Sequence, residues 1–346
     1  MIRPFDLLDV PLIAQLESQG TPLSSDALTR GARPLQAALA NFFSMRSRGE
    51  YTLVMPDRPV GFAQMRFRKT MPRASVTFVA PGLAAGNGIA EVWAQLLDSL
   101  AVTAGDLGLH HLVAEVSEDS AEVSVLHRAG FAVSLRQDIL RLKAGVVIQP
   151  PQDLLRPCVD TDLWGIQQLY LNTVPRLAQQ AQAPPHTHHS STVHGYVMEE
   201  GGEAVAYLEI QRGAAGALFN TLIHPQAEQQ AREVIAQGLA LLGQRWSLPV
   251  YCCVRRYQEW LWDPLQSIGF ELSSSVAMMV KRLVVPATES ERVAAPVLVQ
   301  PKVTTPIVRS QHFKYPSRRD QFPRRQGRES KKAQVEGKCN RESLTI

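Results

Sequence analysis

The chain has 346 residues, 45% of them hydrophobic, which suffices for sizeable cores and by length suggests two domains. No apolar run reaches the ~18 residues of a membrane span, and the start, MIRPFDLLDVPLIAQL, carries charges and lacks a small-residue cleavage site, which argues against a signal peptide. Cys158, Cys252, Cys253 and Cys339 form no CxxC pair and no disulfide-rich spacing, so a cytoplasmic location is expected. The net charge of +4 hides an asymmetry: residues 292–346 hold 13 Lys/Arg against 4 Asp/Glu, which leaves 1–291 at −5.

In chain order, Arg3–Leu16 reads as a short strand, an Asp near a helix N-cap and an amphipathic helix. Residues 20–50 carry no readable code. YTLVMPDRPVGFAQMRF is two alternating runs around a turn, a β-hairpin signal. SVTFVAP reads as a strand. GLAAGNGIAE, residues 82–91, opens a long apolar helix. HLVAEV reads as the next strand, followed by a helix over SVLHRAG, a Gly-Phe pair and a last strand.

After the Pro-rich joint IQPPQD the order begins again. RPFDLLDVPLIAQL matches RPCVDTDLWGIQQL at a constant offset of 153, with Arg3 on Arg156, Asp9 on Asp162 and Leu16 on Leu169. YVMEEGGEAVAYLEIQR repeats the hairpin, TLIHP repeats TFVAP, and LQSIGF repeats LHRAGF. Two copies of one α/β module, residues 1–145 and 152–284, account for the part expected to fold. Helices alternate with strands only in the second half of each copy, so each copy should carry its own mixed sheet. The two should superpose, and one continuous sheet would count against that division. Residues 287–346 have few apolar positions and no period, the composition of a disordered tail. Such a basic tail can attract nucleic acid or an acidic surface, or be merely solvated.

This layout resembles the GNAT N-acetyltransferase superfamily, in tandem form, over about 80% of the chain. The resemblance rests on the element order, on VAP…GNGIA, on AEV before a helix and on the two Gly-Phe ends. It implies an α/β fold with a mixed, mostly antiparallel sheet flanked by helices. It also implies an acetyl-CoA pyrophosphate held by backbone N–H groups at a helix N-terminus, where orphan donors and the positive dipole end favour an anion. The family pattern there is Q/R-x-x-G-x-G/A. Gly88 and Ala90 match its last two defined positions, Gly86 matches a glycine common just before, and Ala85 stands where the family has Gln or Arg. The resemblance assigns the cofactor to Phe78 and Val79 on the strand and to Gly86, Asn87, Gly88, Ile89 and Ala90 on the loop, in a cleft between the strands on either side. The second copy, LIHPQAEQQA, has no glycine there and should not bind acetyl-CoA.

Acetyl transfer to an amine needs a base and a proton donor. By resemblance Glu115 takes the first role; on its own it equally reads as a solvated strand residue. The family's donor Tyr is missing, and His127 is the nearest candidate, an imidazole able to give a proton near neutral pH; alternatively it is an exposed helix residue. Cys253 of the second copy reads as a buried, inert thiol. His186, His188, His189 and His194 lie at spacings that can bind zinc, but with no Cys or carboxylate beside them they read better as a loop, and no metal is assigned. Two functions stay open. One is an acetyl-CoA-dependent N-acyltransferase acting on an amine of a small molecule or peptide end. The other is an inactive GNAT-like protein that binds a ligand or partner.

Overall fold

The computed structural model describes residues 1–43, 49–68, 71–144, 153–185, 192–243 and 246–284, all within one compact unit. The basic tail and the joint IQPPQD lie outside the described residues, as do His186, His188 and His189.

The first copy runs β1 (Arg3–Pro4), α1 (Val10–Leu16), β2 (Thr21–Pro22), α2 (Ala27–Arg30), α3 (Pro34–Phe43), β3 (Glu50–Met55), β4 (Gly61–Phe67), β5 (Arg73–Ala80), α4 (Ile89–Asp106), β6 (His111–Ser117), α5 (Ala121–Arg128) and β7 (Ala132–Leu142). The second runs β8 (Arg156–Pro157), α6 (Leu163–Thr173), α7 (Ala178–Ala181), β9 (Val193–Glu200), β10 (Glu203–Arg212), β11 (Ala217–Ile223), α8 (Ala231–Leu242), β12 (Val250–Arg255), α9 (Trp262–Ile268) and β13 (Glu271–Arg282). The matched starts fold alike. Arg3 donates both terminal nitrogens to Asp9 at 2.7 Å, and Arg156 does the same to Asp162 at 2.7 Å. The repeated Asp therefore does more than cap a helix: it forks an arginine that ties the first strand to the helix start, a geometry that favours Arg over Lys.

The expectation of one sheet per copy is corrected. The strands form a single sheet in the order β1-β3-β4-β5-β6-β13-β7-β12-β11-β10-β9-β8, with β2 lying against β5. The copies exchange their last strands. β13 pairs antiparallel with β6, β7 pairs antiparallel with β12, and the two exchanged strands pair with each other at the centre. Gly130 and Gly269 stand 139 positions apart, as do Gln137 and Val276, and the latter two are direct cross-strand partners. A pseudo-twofold axis passes through that pair.

Alternation along the strands sends the exchanged side chains into the partner copy's core. Ala277 and Met279 of β13 pack with α4 and α5 around Trp93, Leu96 and Leu112. Leu140 and Leu142 of β7 pack around Phe219, Ile235 and Leu265 in the second copy. Met279 and Leu140 are fully buried, each worth about 1.5–3 kcal/mol relative to exposure. Neither core is complete without the other copy.

Chains cut at the joint test this dependence. Residues 1–148 and 151–284, produced together as separate polypeptides, should co-purify as a one-to-one complex. Residues 1–148 alone should self-associate or precipitate, because β6 and β7 lack a strand between them. A monomeric, cooperatively unfolding 1–148 fragment would contradict it.

Candidate functional site

β5 and β6 run parallel but pair only from Arg73↔His111 to Ser75↔Val113. A β-bulge follows: Gln64 faces Phe78 and Met65 faces Val76, which leaves Thr77 as the extra residue. A bulge bends its strand, and here β5 turns away from β6. The resulting slot is where the resemblance puts acetyl-CoA.

The slot is filled by the chain itself. Thr21 and Pro22 of β2 pair with Val79 and Phe78. Leu23 bridges the gap: its N–H donates to the Thr77 carbonyl at 3.1 Å, and its carbonyl accepts from the Glu115 N–H at 2.9 Å. Gly82 N–H donates to the Gln19 carbonyl at 2.7 Å. Leu23 is fully buried, and a Cβ on Gly20 would stand 2.2 Å from the Phe78 ring, so only glycine allows this approach. The edge of Phe78 and Val79, the strand residues that the resemblance assigns to the cofactor, is hydrogen-bonded to residues of the same chain.

The phosphate loop is a different matter. Leu83–Ala85 form one 3-10 turn, Gly86 has φ +141°, and Gly88 is the left-handed N-cap of α4 at φ +82°. Gly86, Asn87 and Gly88 are exposed, Ile89 and Ala90 half-buried. A Cβ on Gly86 or Gly88 would meet nothing within 4 Å. Among the described residues no acceptor meets the N–H groups of Gly86, Asn87 or Gly88. The loop leaves these donors open to an anion, while the slot beyond it is occupied by Thr21–Leu23.

The second copy closes the equivalent slot by other means. β11 carries no bulge against β10, so it stays paired with β12 as far as Asn220↔Cys253. Beyond that point Arg255 donates to the Thr221 carbonyl at 3.1 Å and to Asn220 Oδ1 at 3.2 Å, and Gln258 donates to the Ile223 carbonyl at 3.2 Å. Gln226 N–H, at the start of the next turn, donates to His224 Nδ1 at 3.3 Å. Cys253 is buried, and desolvation pushes its thiol up to about 12.

Glu115 and His127 are not brought together. Ala114 and Val116 point into the core under α4 and α5, where Val125 and Leu126 also pack. Glu115 alternates to the opposite face, while His127 is exposed on α5. His194 lies on β9.

Glu115 instead lines a cavity of about 510 Å³ on the other face of the sheet, with walls from both copies. The copies cross over it. From the first, Ala215 N–H and Gln211 hold Thr29 beside α2 at 2.8 and 3.0 Å. From the second, the Ala181 carbonyl of α7 accepts from Arg73. At the floor, Arg66 is matched by Asp26 at 2.6 Å and Glu50 at 2.7 Å. Among the described residues, six other charged groups of the lining have no ion-pair partner: Arg30 and Arg68, which are exposed, and Arg73, Glu115, Glu209 and Arg255, which are not. Ser25 N–H donates to Glu115 at 2.9 Å, and Asn220 donates to Glu209 at 3.1 Å. Burial pushes both carboxyls up, and it lowers the Arg73 guanidinium to about 10. Sequence reasoning missed Arg73, Glu209 and Arg255. The available signal was a charged residue within an apolar strand, as in VYCCVR and VAYLEIQR.

Glu209 gives a pH test. Desolvation chiefly, and the Asp26 charge, raise it, while Asn220, Arg68 and Arg255 lower it. The folded chain thus keeps this proton to higher pH than the unfolded chain, whose carboxyl titrates near 4.5, and stability falls as pH rises through that interval. Glu209→Gln keeps an acceptor for Asn220 and removes the charge. Its melting midpoint should equal the parent's below the unfolded value and exceed it at neutral pH by about 2 °C, the size of a ~1 kcal/mol gain. A lower midpoint at neutral pH would show that the carboxylate stabilises the fold.

The fold has known parallels. The crystal structure of a GCN5-related N-acetyltransferase from Sphaerobacter thermophilus is similar at a TM-score of 0.52 and 12% identity, over 83% of this chain and 96% of that one. A tandem GNAT protein from the clavulanic acid biosynthesis pathway, solved without AcCoA, is similar at 0.50 and 13%, over 82% and 98%. No protein-family model matches the sequence, and no curated protein does. The likeness covers nearly the whole of both solved structures and more than four-fifths of this chain, so the chain has the GNAT superfamily fold in its tandem, two-copy form.

Proposed function

We propose that this protein, with copies spanning 1–145 and 152–284, binds a small polar ligand in the cavity between them and does not hold acetyl-CoA in the manner of the family. The observation that carries this reading is the closure of both cofactor slots, by the backbone of Gln19–Leu23 in one copy and by Arg255 and Gln258 in the other. Two unrelated closures at equivalent places argue against either being incidental. The cavity volume lies in the range of small-molecule sites. We place the protein in the cytoplasm, in keeping with Cys158, Cys252 and Cys253, which are buried and in no disulfide. Among the described residues no helix is long and apolar enough to cross a membrane.

The free N–H groups of Gly86–Gly88 favour a second reading. This is an N-acyltransferase that takes acetyl-CoA on the first copy and an amine, from a small molecule or peptide end, on the cavity side. It requires Gln19–Leu23 to leave the β5 edge.

Thermal unfolding with acetyl-CoA separates the two. A bound cofactor at 100 times its Kd would add about 2.7 kcal/mol, whereas the closed slots predict no change of midpoint at millimolar acetyl-CoA. Gly88 is a poor place to probe the loop, since at φ +82° any branched residue is strained whatever it binds. Ala85→Glu instead sets a negative charge on the exposed turn. Stabilisation of the parent by acetyl-CoA, lost in Ala85→Glu, would establish the transferase reading and overturn the first.

A further inference from the structure

The cavity's charges name the class of its ligand. The first copy contributes Arg73 and Glu115, and the second contributes Arg255 and Glu209. Setting aside the ion-paired Arg66, Asp26 and Glu50 and the exposed Arg30 and Arg68, each half of the wall holds one guanidinium and one carboxylate. Within each half the two groups feel each other's charge, yet no ion pair joins them among the described residues. Among the described residues, Arg73 donates only to the Ala181 carbonyl, and Arg255 only to Thr221 and Asn220 oxygens. Arg255 is 6% exposed, and its Nε is buried with no partner; neither has the Thr221 hydroxyl beside it. Buried donors and buried charges are normally satisfied, and these are unsatisfied in two residues that line the cavity.

A purely anionic ligand would match the guanidiniums and leave two carboxylates desolvated. A plain amine would do the reverse. Only a molecule with both signs completes either half. Resting on the cavity reading above, we infer that the ligand is a small zwitterion, with a carboxylate or similar anion for Arg73 or Arg255 and a protonated amine for Glu115 or Glu209. At the mouth, exposed Arg30 and Arg68 give the approach a positive bias, which suits entry with the anionic end leading. Arg66, already matched by Asp26 and Glu50, is a structural part of the floor.

The test uses the full chain and the common L-amino acids with their glycyl dipeptides, each at millimolar concentration in thermal-shift and calorimetric titrations. The best binder is then compared with its N-acetyl derivative, which lacks the amine charge, and its methyl ester, which lacks the anion. Each derivative should bind at least ~10-fold more weakly than the zwitterion. Glu209→Gln or Glu115→Gln should weaken the zwitterion and leave its N-acetyl derivative unchanged. Arg73→Met should weaken the zwitterion and leave its methyl ester unchanged. If a variant fails to fold, the derivative comparison on the parent decides alone. The proposal is overturned if no zwitterion of the set binds, if either derivative binds as tightly as its parent, or if the variants weaken both forms equally. Acetyl-CoA binding to the parent would overturn the closed-slot reading and leave this one untouched; absence of zwitterion binding would do the opposite.

Discussion

The antiparallel ladder between β7 and β13 is the constraint on which the rest of the molecule depends. Each strand is the last of its copy, and each lies beside the other at the pseudo-twofold axis. Because a strand offers one row of side chains to each face, the exchange completes two cores on one side of the sheet and floors a shared cavity on the other. Met279 and Leu140 serve the cores; Gln137 and Met278 line the cavity. The crossing contacts at Thr29 and at Ala181 follow, since each copy's loops then stand over the other copy's strands.

One fold position has been closed twice with different chemistry. In the first copy the bulge at Thr77 opens β5 from β6, and backbone from Gln19 to Leu23 takes up the freed hydrogen bonds. In the second copy β11 stays straight, and two side chains satisfy the carbonyls that remain. Both solutions obey the rule that buried backbone groups be paired. Glu115 and Arg255, beside these two places, also line the central cavity, where desolvated charges accumulate. Charges held at a cost to stability are the usual mark of a site kept for binding.

Much of this was legible beforehand. The Arg3–Asp9 and Arg156–Asp162 forks appear in the sequence as the same residue types at the same spacing, and the Gly-Phe ends mark the last strand of each copy. The glycine turn into α4 was readable because φ > 0 at Gly86 and Gly88 leaves a composition signature. The strand exchange was not, because alternation in residues 132–142 says that a strand forms but not which edge it joins. Leu23 was hidden for a related reason: two paired residues within GTPLSS carry no periodicity. That Glu115 and His127 lie apart was not legible either, because sequence spacing along β6 and α5 does not reveal which way each side chain faces. The charged cavity groups come from six separate strands and two loops, so no local window contains the site.

The exchanged strands also govern how the chain can mature during synthesis. β6 ends at Ser117, and its neighbour β13 begins at Glu271. At ordinary elongation rates the ribosome needs roughly ten to thirty seconds to make that interval. Throughout it, the first copy waits with β6 unpaired on one side and β7 without a sheet, an adhesive edge presented to every neighbouring nascent chain. Polysomes bring identical half-made chains close together, each with the same open edges. The arrangement that gives the finished chain one unbroken sheet thus makes its birth a race between intramolecular completion and pairing between siblings.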